Sequence, residues 1–85
     1  MDTTQALLNE RAKTHGSFTD HAEITQDMKA VMEGRQSFDK LSPRHRESLH
    51  MIVHKIGRIL AGNPNFKDHW DDIAGYAKLG SEACD

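Results

Sequence analysis

The sequence predicts an all-α fold, a compact bundle of about four helices with two long ones, about 43–61 and 68–81, at its centre. Three observations carry this. Apolar residues recur at i, i+3, i+4 and i+7 through the middle of the chain. No stretch of useful length alternates with period two. The breaks in the pattern fall on helix punctuation: His15-Gly16, Gly34, Ser42-Pro43 and Gly62-Asn63-Pro64-Asn65.

The first helix starts from Asp2, Thr3 or Thr4 as N-cap and runs to about Lys13, with Gly16 suited to a left-handed C-cap. Its strong apolar residues are Ala6, Leu7 and Leu8, so it is expected at the periphery. The second runs from about Thr19 to Glu33, capped through Ser17/Asp20 or Asp20/Glu23, with Ile24, Met28, Val31 and Met32 as its apolar stripe. Arg35 to Lys40 is a polar connection anchored by Phe38.

The third helix opens on Ser42-Pro43, a cap followed by proline at the first helical position. Leu49, Ile52, Val53, Ile56, Ile59 and Leu60 are predicted to make it the central core element. The fourth starts near Asp68, whose charge suits a helix N-terminus, and reaches about Ser81. Trp70, Ile73, Ala74 and Ala77 are its expected core face.

The chain reads as a single helical domain, 1–85. A core this small has a thin stability margin, so a homo-oligomer is expected. A formal charge of −2 gives no global attraction to nucleic acid or an anionic membrane, and the longest apolar runs are three residues. Neither a DNA- or RNA-binding role nor a membrane role is therefore favoured. The single cysteine, Cys84, cannot form an intrachain disulfide, and the N-terminal segment lacks a basic leader. Both point to a cytoplasmic location.

The chemistry concentrates on the two long helices. Glu47, His50, His54 and Arg58 fall within roughly 80° of arc, opposite the apolar face. His50 and His54 are spaced to share a metal, but Met-Ile-Val lies between them and no third ligand follows, which weakens a zinc site. Lys55 and Arg58 are candidate phosphate-binding residues. Asp68 and Asp72, one turn apart, invite a cationic partner: Lys55, Arg58 or a divalent ion. With Glu47 they form a candidate oxygen-ligand set for Mg²⁺. Tyr76, with His50 and His54, is a candidate accessory residue. An internal Asp72–Arg58 ion pair is the bland alternative. If His50 and His54 lie near Glu47, their pKa values should be raised. His15, His21, His45 and His69 are given no catalytic role.

On Arg11…Thr14-His15-Gly16…Phe18, His54-Lys55-x-x-Arg58 and Asp68-x-x-x-Asp72-Ile73-Ala74-Gly75-Tyr76, the chain resembles a family of small all-helical phage and prophage proteins of unknown function. The resemblance spans roughly residues 10 to 79. It implies a viral or prophage origin, and so the host cytoplasm, without implying an activity. More remotely, the two-helix layout resembles MazG-like all-α nucleoside triphosphate pyrophosphohydrolases, which bind Mg²⁺ through E-x-x-E on one helix and E-x-x-D on the next. Here the pairs are Glu47-x-x-His50 and His69-x-x-Asp72. Glu47 and Asp72 carry over, with Asp68 as a substitute, and histidine is a poor ligand for a hard cation.

Two readings follow. One is a nucleotide-phosphate-binding or degenerate MazG-like domain, more a binder than an enzyme; as an enzyme it would be a metal-dependent nucleotide pyrophosphohydrolase. The other is a non-catalytic oligomeric accessory module that binds a host protein.

Overall fold

Each break in the apolar pattern becomes a helix end in the computed structural model, which describes residues 3–85. Helix α1 spans Thr3–His15 and α2 spans Phe18–Glu33. A 3₁₀ segment, Gln36–Lys40, leads to α3, Pro43–Ala61, and α4 follows at Lys67–Glu82. No strand occurs among the described residues. The cap candidate Asp2 lies outside them. The all-α bundle predicted from the sequence is the one found.

Local chemistry accounts for the helix ends. The Ser17 hydroxyl accepts the Asp20 N–H at 3.3 Å, and the Ser42 hydroxyl accepts the His45 N–H at 3.1 Å with Pro43 in the first turn. Each such cap is worth about 1 kcal/mol. Gly16 closes α1 at φ +77°, a conformation that disfavours any residue with a Cβ.

α3 is the middle of the molecule. It packs against α2 on one flank and α4 on the other, and α1 lies across the end nearest its C-terminus. The bundle measures 49 × 24 × 22 Å. At Gly57 the α2–α3 approach is close: a Cβ there would meet Thr25 Cγ2 at 2.5 Å and His21 Nδ1 at 2.8 Å. Gly16 and Gly62 do the same for α1 and α3, whose backbones touch where a side chain on either glycine would stand. The Thr14 carbonyl completes that junction by accepting from the Asn63 N–H at 3.1 Å and from His69 Nε2–H at 3.3 Å.

The interior differs from the expected one. Its buried apolar side chains are Val53 and Ile59, accompanied by His21, Thr25, Lys55 and His69. Leu60, expected in the core, is 65% exposed, and Leu49 is also exposed. The reason is that α3 has neighbours on two flanks, so burial follows the directions of α2 and α4 rather than the centre of the apolar stripe. α4 is turned correspondingly. Trp70, Ala74 and Ala77 face outward, while His69, Asp72, Ile73, Tyr76 and Gly80 face inward. The outward Trp70, 54% exposed, donates its indole N–H to the Pro64 carbonyl at 2.8 Å. That bond satisfies the one polar atom that would otherwise favour a different orientation.

Candidate functional site

The register of α3 against α4 decides which candidate residues meet. The helices are antiparallel, with Lys55 opposite Asp72 and Ser48 opposite Gly80. Lys55 Nζ lies 3.0 Å from the Asp72 carboxylate. Asp72 therefore takes Lys55 as its partner, not Arg58. Glu47 lies eight residues before Lys55, roughly 12 Å farther along the α3 axis.

The proposed ligand set is thus spread out. Glu47 and His50 line a shallow depression with Leu41, Pro43 and Arg46. Asp72 and Tyr76 line another with Asp71, Gly75 and Leu79. Asp68 is exposed at the start of α4. Among the described residues no three His, Cys, Asp or Glu side chains form a group that could hold a metal ion. The residues that the MazG-like pattern would use for Mg²⁺ do not converge.

A different constellation does converge. A cleft of about 430 Å³ opens where α1, the α1–α2 turn and α3 meet. It is lined by Arg11 and His15 from α1, Ser17, Phe18 and His21 from the turn and first turn of α2, and His54 and Arg58 from α3. Leu8 and Ala12 give it an apolar wall, and Phe18, 81% exposed, stands beside them. No carboxylate lines it. Arg58 and Arg11 make no ion pair within 4.0 Å among the described residues.

The imidazoles are held by specific contacts. His21 Nε2 and His54 Nδ1 are 3.3 Å apart, with ring centroids at 4.6 Å in an edge arrangement. One proton serves that contact, because two N–H donors facing each other would repel. The other nitrogen of His21, Nδ1, is buried against Gly57 without a hydrogen-bond partner. His15 Nδ1 is 2.7 Å from the Thr14 hydroxyl, and its ring stacks edge-on with His69 at 4.9 Å. His69, only 2% exposed, is clamped between His15 and Phe66. Its role is structural.

The electrostatics follow from burial beside cations. Burial first, then the Arg58 guanidinium, holds His15 down to about 4 and His54 down to about 4. His21 is lowered by the same two causes, burial first and then Arg58. For Arg58 the charged form is disfavoured by burial and next by Arg11, with Asp72 opposing. The sequence-based expectation of a raised His54 pKa is therefore corrected: its neighbours are Arg58, His21 and Lys55 rather than Glu47. At neutral pH the cleft offers two positive guanidiniums, three neutral rings and the N-terminus of α2.

Of the residues predicted from sequence, the cleft gathers Arg58 and His54. Arg11, His15 and Phe18, quoted for the family resemblance, join them there, but no site role had been assigned to them. His21 carried no signal of its own, being one ring in the first turn of a helix.

A family model described as a domain of unknown function, DUF6378, matches residues 1–84. The chain belongs to that family. No curated protein and no solved structure matches it.

Proposed function

We propose that this member of a family of unknown function binds a nucleoside phosphate, and does so as a binding domain rather than as a hydrolase. The observation that carries the reading is the composition of the cleft: Arg11, Arg58 and three imidazoles around one opening, with no acid in its lining. An anion in the cleft would relieve the Arg58–Arg11 repulsion, which the smaller influence of Asp72 does not cancel. Phosphate matches the guanidinium fork geometrically and the start of α2 electrostatically. Leu8, Ala12 and Phe18 supply a surface for a base, and the volume suits a small ligand.

The two-helix layout and the partial acid pattern of Glu47 and Asp72 support a remote likeness to the MazG-like enzymes. The separation of Glu47 from Asp72 favours loss of hydrolysis. In this reading Mg²⁺ travels with the nucleotide's phosphates rather than being held by Glu47, Asp68 and Asp72 together. A phage or prophage origin, with action in the host cytoplasm, belongs to the same proposal and rests on the sequence resemblance.

Isothermal titration with nucleoside mono-, di- and triphosphates, with and without Mg²⁺, tests it. Binding should weaken about tenfold or more in Arg58→Ala, the cost of one lost charge-assisted contact. Absence of heat with every nucleotide would overturn the reading.

A further inference from the structure

The cleft and α1 occupy one side of the α2–α3–α4 layer, and the other side is bare. On α3, Leu49, Ile56 and Leu60 point away from His54 and Arg58, about half a turn around the helix. On α2, Val31 lies away from the Phe18 edge that lines the cleft, and is 70% exposed. On α4, Trp70 and Ala77 project opposite the Asp68/Leu79 edge and are exposed. Three adjacent helices thus leave apolar side chains on a single uncovered face.

The surface area gives the scale of what is missing. The chain exposes 6107 Å², whereas a folded monomer of 9.6 kDa exposes about 5,100 Å². The excess is roughly 1,000 Å², and a standard interface removes about 800 Å² from each partner. The apolar core has Val53 and Ile59 as its buried members, so covering this face would add substantially to a small margin of stability.

We propose that a second copy of the chain covers this face, α3 packing against α3 so that Leu49, Ile56 and Leu60 of both copies close a two-layer bundle. The two clefts then open on opposite outer surfaces, free of the interface. This inference does not depend on what the cleft binds.

Sedimentation equilibrium between micromolar and submillimolar chain tests it, with circular dichroism to check that helicity is kept. The wild type should show twice the mass of one chain. Leu60→Glu, and separately Val31→Glu, should shift it to the single-chain mass with helicity unchanged, since both side chains are exposed in the monomer. Lys78→Glu, on the exposed surface of α4, should leave it dimeric. A wild type of single-chain mass throughout, including one monomeric until a different protein is added, overturns the proposal. So does an assembly that survives both glutamate substitutions.

Discussion

His21 Nε2 and His54 Nδ1 stand 3.3 Å apart and share one proton, which ties the first turn of α2 to the middle of α3. The pair lies beside Arg58, so a second proton is disfavoured twice, by burial and by the guanidinium. The sign of the pH dependence follows. His54 falls from 6.5 to about 4 on folding, so between those values the unfolded chain holds more protons than the folded one. The stability contributed by the neutral ring is complete above pH 6.5 and is lost as pH falls toward 4; His15 behaves in the same way. Urea midpoints should decline across this window, less steeply in a His54→Asn variant. A ring titrating near 6.5 in NMR would contradict the assignment.

Lys55 and Asp72 form an unequal ion pair. The lysine side chain is 11% exposed and the aspartate 46%. Removing the aspartate strands a buried ammonium, whereas removing the lysine leaves a carboxylate that water can reach. Asp72→Ala should therefore cost about 2 kcal/mol, below the figure for a fully buried pair. Lys55→Met should cost under about 1 kcal/mol. Urea unfolding with unchanged m-values measures both. Equal losses would mean that the pair is effectively solvated.

Gly57 sets the distance between α2 and α3. An alanine Cβ there meets Thr25 Cγ2 at 2.5 Å and His21 Nδ1 at 2.8 Å, and both neighbours are buried. Gly57→Ala should cost about 1–3 kcal/mol, the usual range for overpacking. Adding Thr25→Ala removes the closer clash, so the double variant should lose less than the two single losses combined. Strict additivity would place the strain elsewhere. The same change at the exposed Gly75, where a Cβ meets nothing within 4 Å, should be neutral or stabilising.

How much of this was legible in the chain differs between its two halves. Ser17, Gly16, Ser42 and Pro43 act locally, through bonds to residues a turn away, so the helix ends could be read directly. The burial pattern of α3 could not. A hydrophobic stripe reports the average preference of one helix, whereas Lys55 and Gly57 are buried because α4 and α2 approach from the flanks. On α4 the apolar face centred on Trp70 was the best local choice, yet His69 turned inward, where it donates to the Thr14 carbonyl, 55 residues earlier, and packs between His15 and Phe66. The cleft combines the end of one helix, the start of the next and the middle of a third. Periodicity within a segment carries no information about such a meeting. The residues were visible; their adjacency was not.

If the cleft takes phosphate, anion binding and histidine protonation must be linked. A bound dianion beside Arg58 removes part of the positive potential that lowers His15 and His54, and it favours their charged forms. Saturating nucleotide should then raise both transitions from about 4 toward 6.5 in NMR titrations. Linkage requires the converse: affinity should increase as pH falls from 6.5 toward 4, up to the point where the nucleotide's own phosphate loses charge. Arg58→Lys keeps the charge but loses the fork, so it should weaken binding while leaving this pH trend in place. Arg58→Ala should weaken binding further and raise the histidine transitions even without ligand, because the second-largest cause of their depression is gone. Histidine transitions unmoved by nucleotide would place the anion outside the cleft.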